Sequence, residues 1–213
     1  MRQSVVPLQN QPVSRFPFER LGDAELVQAV TQGNTDAVGV VWDRYSPVVR
    51  SVLRANLGFD ADVEDLLQEV FIIFLRNVGE MRAAGALRAF LITVAVRVVL
   101  VELRRRRVRR WVTLSPTGEL PDGSAPPQDV EGSAALGALY RLLDRMPHRR
   151  RVAFVLRNVE GLELSEVAKA LNVSESTAKR EVSRARQAIF ARAELGEPAL
   201  WHYLSRFSGG RDA

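Results

Sequence analysis

A proline- and glycine-rich segment divides this chain of 213 residues into two parts. Residues 113–133, TLSPTGELPDGSAPPQDVEGS, hold four prolines, three glycines and no aromatic residue. Such a composition is typical of a linker. About 20 flexible residues have a root-mean-square span of roughly 25 Å. The segment therefore predicts two domains, 21–112 and 134–193, that are tethered loosely enough to sit apart. An arm over 1–20 and a tail over 194–213 flank them.

Apolar residues on both sides of the linker recur every three or four positions, which is the spacing of a buried helical face. In the first part, Asp23 and Asn34 are candidate N-caps, and Gly33 is a candidate stop. Pro47 is expected to kink or split the helix that contains it. Residues 86–110 hold β-branched residues that also suit a strand, but their unbroken length favours a helix buried on several sides. The predicted fold class is all-α.

The second domain contains the strongest local signal, GLELSEVAKALNVSESTAKREVSRARQAI at 161–189. A short helix precedes Asn172, a residue that tolerates the left-handed conformation, and Ser174 can cap a following helix. This order is typical of a helix-turn-helix, whose second helix enters the DNA major groove. An ordinary basic surface helix is the alternative. The candidate DNA contacts lie on the second helix: Glu175, Ser176, Thr177, Lys179, Arg180, Ser183, Arg184 and Arg186.

The basic charge is concentrated beyond residue 100. Residues 1–100 hold ten arginines against eleven acids, whereas residues 101–213 hold 20 basic groups against 14 acids. A run of six arginines can neutralise phosphates and release counterions. A solvated basic surface or a contact with an acidic protein remains open, and Trp111 beside the run is interpreted as packed rather than stacked on a base. The six arginines are Arg104, Arg105, Arg106, Arg107, Arg109 and Arg110.

An acidic helix is predicted within residues 62–77. Its apolar stripe faces one way, and a second face carries acids whose position near the helix start suits the macrodipole. This second face is either solvated or a docking surface for a basic partner. The docking candidates are Asp62, Asp65, Gln68, Glu69 and Ile72.

The composition excludes several classes of site. The chain has no cysteine and two separate histidines, His148 and His202, so no disulfide, Cys-ligated zinc or His-rich metal site is expected. No catalytic residue, cofactor or metal is predicted, and the protein is not expected to be an enzyme. The most apolar stretch, 89–103, is too short to span a membrane and carries two charges. No signal peptide is visible, so the expected location is cytoplasmic.

Several motifs together resemble a known family. DVEDLLQEVFIIFL at 62–75 is similar to the core-binding helix of bacterial sigma factors, and residues 143–186 are similar to their promoter-reading domain. The order of acidic helix, basic helix, linker and helix-turn-helix resembles the extracytoplasmic-function group of the sigma-70 family. The resemblance covers about residues 21–192. It departs from the family pattern where Phe90 replaces Trp, and Arg97 and Val101 stand at the usual Asn and Asp positions.

The resemblance implies a function and partners. The first domain would bind the largest catalytic subunit of core RNA polymerase through the 62–77 helix, and Phe90, Arg97 and the arginine run would contact the −10 element. The second domain would read the −35 element and touch the other large subunit. An anti-sigma protein would hold the factor inactive. The alternative is a helix-turn-helix regulator without polymerase-recruiting activity, and a membrane-surface protein using the arginine run is a third, weaker alternative.

Overall fold

The structure, a computed structural model, describes residue 18 and residues 20–58, 62–81, 87–113 and 130–196. All regular structure within these residues is helical, which confirms the predicted all-α class. One 3-10 turn, Val78–Glu80, follows α3. The α-helices are α1 (Asp23–Thr31), α2 (Thr35–Leu57), α3 (Val63–Asn77), α4 (Leu87–Thr113), α5 (Val130–Asp144), α6 (His148–Asn158), α7 (Leu164–Leu171) and α8 (Glu175–Gly196).

The described helices reach into both ends of the predicted linker. Helix α4 ends at Thr113 and α5 begins at Val130, while residues 114–129 lie outside the described residues. The predicted arm, apart from residues 18 and 20, also lies outside them, and so does the tail beyond residue 196. We call α1–α4 the N-terminal bundle and α5–α8 the C-terminal bundle.

The first two helices start where local hydrogen bonds fix them. Asn34 is the predicted cap of α2, and its Oδ1 accepts from the backbone N–H groups of Asp36 at 2.9 Å and Ala37 at 3.0 Å. The predicted Asp23 cap is wrong, because Gly22 is the N-cap of α1. The Asp23 carboxylate instead accepts a hydrogen bond from the Tyr45 hydroxyl of α2. Burial first, and then this carboxylate, raise the pKa of Tyr45 to about 12.

Helix α2 runs unbroken through its internal proline. Pro47 was expected to kink or split the helix, and the split does not occur, because α2 remains one element of 23 residues. Val41 before Pro47 and Val49, Val52 and Leu53 after it are fully buried, so tertiary packing holds the helix together where one backbone donor is missing. The helix ends at Gly58, whose φ of 78° needs a residue without Cβ.

Helix α4 forms the centre of the molecule. It packs on α1, α2 and α3 in its own bundle and on α6 and α7 of the other. The predicted burial on several sides is therefore confirmed. Its residues that are 6% exposed or less cover more than half of the helix circumference: Leu87, Leu91, Ile92, Val94, Ala95, Val96, Val98, Val99 and Leu103.

The turn between α7 and α8 has the predicted helix-turn-helix geometry. Asn172 adopts φ 53° and ψ 54°, the left-handed conformation, and closes α7 through bonds to the Ala168 and Lys169 carbonyls. Ser174 then caps α8, because its Oγ accepts from the Thr177 N–H at 3.2 Å. Ala168 is 5% exposed, and its small side chain allows α7 and α8 to approach closely.

The two bundles pack against each other rather than sitting apart. Buried residues of α6, α7 and α8 belong to the same apolar core as those of α1–α4. Polar contacts also cross the boundary between the two bundles, which we call the seam. The Ser51 hydroxyl donates to Glu160 Oε1 at 2.8 Å, and the Tyr140 hydroxyl donates to the Arg54 carbonyl at 3.2 Å. The loose separation expected from the linker is thus not the conformation described here.

No helix among the described residues is long and apolar enough to cross a membrane.

Asn172 provides a test of the turn. We expect Asn172→Ala to lower the free energy of unfolding by about 1 kcal/mol, because alanine lacks the tolerance of asparagine for a positive φ. Asn172→Gly is the matched control and should stay within about 0.5 kcal/mol of the parent protein, since glycine adopts this conformation readily. Urea unfolding followed by circular dichroism measures both. Equal midpoints for the two variants would contradict the assigned turn.

Candidate nucleic-acid and polymerase interfaces

The polar side of α3 is a continuous exposed surface, as the sequence predicted. All five docking candidates are solvent-exposed, whereas Leu67, Val70 and Phe74 on the opposite side are completely buried. We call this surface, Asp62, Asp65, Gln68, Glu69 and Ile72, the acidic face. The acidic face has a fixed position because the apolar side of the same helix is buried in the core.

Two features of the acidic face go beyond the predicted list. Leu75, three residues after Ile72 on the same side, is 41% exposed, and Ile72 itself is 47% exposed. Two neighbouring exposed aliphatic side chains among carboxylates suit a protein interface better than a purely solvated face. Asp62 also has a structural role as the N-cap of α3, accepting from the Asp65 N–H at 3.4 Å.

Most of the predicted arginines on α4 are available to a ligand. Arg97, Arg104, Arg105 and Arg107 are exposed, and they project from a helix whose other sides are buried. Arg109 and Arg110 continue the same helix, and their side chains lie outside the described part of the chain. We call the four described exposed arginines the arginine face.

Two of the predicted −10 contacts take part in packing within the protein. Phe90 is half-buried against the core, with its ring centroid 6.4 Å from that of Phe74 in an edge arrangement. Arg106 donates to the Leu57 carbonyl at 2.8 Å and to Glu102 Oε1 at 3.1 Å. These contacts join α4 to the end of α2, so Arg106 holds the bundle together in this conformation.

A shallow apolar depression on the surface of α4, which we call the Val101–Val108 cleft, lies within the arginine face. Its walls are Val101, Arg104, Arg105 and Val108, and the two valines are 42% and 62% exposed. Apolar surface flanked by guanidinium groups can contact bases as well as phosphates. In the sequence, Val101 is distinguished only as a departure from the family pattern, and no local signal distinguishes Val108.

The C-terminal end of the arginine face lies near the start of α6. Burial, followed by the positive charges of Arg107, Arg151 and Arg104, lowers the pKa of His148. Helix α6 begins at His148 without a side-chain cap and with no acid in its first turn. Cationic groups from both bundles therefore crowd together at this end of the seam.

The exposed side of α8 presents the predicted DNA contacts. Glu175, Ser176, Lys179, Arg180, Ser183 and Arg184 are exposed, and Thr177 is half-buried. Thr177 and Ser176 also lie within hydrogen-bond distance of the Ser174 hydroxyl, at 2.8 Å and 3.0 Å. We call the exposed residues the recognition face, which the helix-turn-helix geometry presents as a row along α8.

Arg186 differs from the rest of the predicted set. It is half-buried, and its Nε donates to Asn158 Oδ1 of α6 at 2.9 Å. On the same helix, Glu181 binds Arg150 of α6 at 3.0 Å. These two contacts fix α8 on α6, so the orientation of the recognition face is set by polar contacts as well as by the core.

No group of three or more histidine, cysteine or acidic side chains with metal-binding geometry occurs within the described residues.

Known protein-family models match one segment in each of the two bundles. Sigma-70 region 2 matches residues 41–109, and sigma-70 region 4 matches residues 136–189. The chain is 31% identical over 160 residues to the extracytoplasmic-function (ECF) sigma factor BldN of Streptomyces coelicolor, covering 73% of this chain and 60% of BldN. It is 28% identical over 164 residues to the ECF sigma factor SigM of Mycobacterium tuberculosis, covering 77% and 81% respectively.

The chain belongs to the ECF sigma factors of the sigma-70 family. The fold agrees: the structure of CnrH in complex with the cytosolic domain of CnrY matches with a TM-score of 0.61 at 20% identity, covering 81% of this chain and 97% of CnrH. In this sigma factor, the region 2 match contains the acidic and arginine faces, and the region 4 match contains the recognition face.

The two roles assigned to neighbouring arginines can be separated by mutation. Arg106→Ala should lower the free energy of unfolding of this sigma factor by about 1–2 kcal/mol, because two charge-assisted hydrogen bonds are lost. Arg105→Ala removes the same charge from an exposed position and should change stability by less than about 0.5 kcal/mol. Thermal unfolding at matched salt compares them. Equal destabilisation by both substitutions would refute the structural role of Arg106.

Proposed function

We propose that this sigma factor binds core RNA polymerase through the acidic face and directs it to promoters with −10 and −35 elements. The observation that carries the proposal is the exposed, core-anchored acidic face, with Ile72 and the adjacent exposed Leu75 at its C-terminal end, in the same chain as a helix-turn-helix. The protein is not itself an enzyme in this proposal, and it acts where the polymerase acts, in the cytoplasm.

The acidic face would contribute to polymerase binding in two ways, by electrostatic attraction and by burial of apolar area. Its carboxylates suit a basic partner surface and speed the encounter, while the exposed aliphatic pair supplies apolar area to be buried. We assign the partner surface to the largest catalytic subunit on the basis of the family resemblance. Helix α3 need not reorder on binding, because its opposite side is already buried.

The arginine face is the proposed −10 surface. Arg97, Arg104, Arg105 and Arg107 supply positive charge along one side of α4, and the Val101–Val108 cleft offers apolar surface between them. Unpaired bases bind by stacking and by contacts to a cationic groove. With Phe90 packed on Phe74, the exposed arginines and the cleft carry this proposed role more directly than the aromatic ring does.

The recognition face is the proposed −35 surface. The N-terminal half of the second helix of a helix-turn-helix lies in the major groove, and here that half holds Glu175, Ser176, Lys179 and Arg180. Arginine and lysine bind guanine edges or phosphates, and serine binds either. The C-terminal bundle is also the proposed contact to the second large polymerase subunit.

An anti-sigma protein is the proposed regulator. CnrH, which shares this fold, is seen in complex with the cytosolic domain of CnrY. Because this chain has no cysteine, a redox signal would have to be sensed by such a partner.

Transcription start mapping tests the proposed function directly. The purified protein is added to core polymerase and fragmented genomic DNA, and transcript 5′ ends are mapped. We expect new discrete starts that share two upstream elements at a fixed spacing. DNA binding by the protein alone without new starts would instead support the alternative, a helix-turn-helix regulator that does not recruit polymerase.

The acidic face can be tested by charge reversal. Asp65→Lys with Glu69→Lys should weaken association with core polymerase by at least about tenfold, since attraction becomes repulsion at a protein interface. Glu80→Lys with Glu194→Lys is the matched control, because both residues are exposed and lie outside the three faces. Co-purification and fluorescence titration measure binding, and circular dichroism checks the fold. Equal binding by the two double variants would exclude the acidic face as the docking surface.

The salt dependence of DNA binding tests the recognition face. Arg180→Ala should weaken −35 DNA binding and reduce the slope of log K against log salt by about 0.9 if Arg180 contacts one phosphate. It should reduce base discrimination by about 1–3 kcal/mol if Arg180 contacts a guanine edge. Arg192→Ala removes an exposed arginine of the same helix outside this face and is the control. Unchanged affinity and slope for Arg180→Ala would remove Arg180 from the interface.

A further inference from the structure

One exposed side of α4 offers hydrogen-bond donors and apolar surface but no acceptor side chain. We call this side the α4 strip, and its exposed residues are Arg97, Val101, Arg104, Arg105 and Val108. Residues three or four positions apart on a helix are neighbours, so each valine lies beside an arginine. A guanidinium group donates up to five hydrogen bonds and accepts none. A ligand of the strip must therefore bring the acceptors itself.

The acceptor atoms of α4 lie away from the strip. Among the described side chains of this helix, only Glu102 and Thr93 carry an acceptor oxygen. The Glu102 side chain is 12% exposed, and its Oε1 already accepts from Arg106 Nε at 3.1 Å. Thr93 donates to the Ala89 carbonyl at 2.8 Å and precedes Val101 by about two turns, or about 12 Å along the helix.

The four DNA bases differ in what they present to a surface without acceptors. Guanine presents the acceptors O6 and N7, and thymine presents the acceptor O4 beside its C5-methyl group. Adenine and cytosine carry an amino group, which is a donor, at the equivalent position. An amino group placed against the strip would lose its hydrogen bonds to water without replacement, and that loss is costly. The strip therefore discriminates between keto bases and amino bases.

The two valines are placed to bind thymine methyl groups. Val101 is 42% exposed and lies one turn after Arg97 and one turn before Arg105, so an arginine can donate to O4 while the valine contacts the adjacent methyl. Val108 is 62% exposed and follows Arg104 and Arg105 in the same way. The valines are about 10 Å apart along the helix, so they serve different bases.

We propose that the α4 strip selects thymine and guanine in an unpaired promoter strand, with Val101 and Val108 each contacting a thymine methyl group. This inference rests on the proposed function, because it specifies the bases bound by the proposed −10 surface. Arg97 and Val101 are also the two positions that depart from the family pattern. The usual Asn and Asp both carry acceptor oxygens, so the departure removes acceptors from the strip at two neighbouring positions.

Matched single strands test the proposal in the full-length protein. Fluorescein-labelled strands of about twelve thymidines, deoxyuridines or deoxycytidines carry the same phosphates, so their non-specific attraction is equal. Deoxyuridine lacks the methyl group, and deoxycytidine also replaces O4 with an amino group. We expect the thymidine strand to bind about threefold more tightly than the deoxyuridine strand and about tenfold more tightly than the deoxycytidine strand. Equal affinities, or binding of none of the three, would overturn the proposal.

Substitutions on the strip separate the methyl contact from the lack of acceptors. Val101→Ala with Val108→Ala should abolish the preference for thymidine over deoxyuridine and keep the preference of both over deoxycytidine. Val101→Asn supplies an acceptor and should reduce the discrimination against deoxycytidine by about threefold. Val159→Ala is the matched control, because Val159 is 54% exposed and lies outside α4. Circular dichroism checks the fold, and an unchanged thymidine preference in the double variant would refute the assignment of the two valines.

The mapped promoters give an independent readout. We expect −10 elements with runs of thymine and guanine on one strand, and adenine and cytosine on the other. Elements that mix keto and amino bases on both strands would contradict keto selection while leaving the proposed function intact. Absence of new starts would contradict the proposed function, and the single-strand affinities would still decide whether the strip selects keto bases.

Discussion

The burial of α4 is the physical constraint on which the rest of this structure depends. A helix with apolar residues over more than half of its circumference cannot be covered by a single neighbouring layer. Helices α2 and α3 cover one part, and α6 and α7 cover another. Each of the three faces is positioned by this packing: the acidic face through α3, the arginine face as the uncovered strip of α4, and the recognition face through α7 and α8.

Local sequence signals predicted much of the fold because they depend on near neighbours. Asn34, Asn172 and Ser174 each act within a few residues of the chain, and all three have their predicted roles. Asp23 shows the limit of this reasoning. It is a good cap residue, but a hydrogen bond from Tyr45, 22 positions away, engages its carboxylate while Gly22 occupies the cap position. Pro47 shows the same limit, because distant core contacts maintain the helix around it.

The faces were predictable as sets, whereas the role of single residues was not. Helical spacing placed Asp65, Glu69 and Ile72 on one exposed side, and the structure agrees. Spacing does not distinguish Arg105, which is exposed, from Arg106, which binds Leu57 and Glu102. That difference depends on where the end of α2 lies, so it requires tertiary structure. The exposure of Leu75 was not predicted for a related reason, since an aliphatic residue is usually expected to be buried.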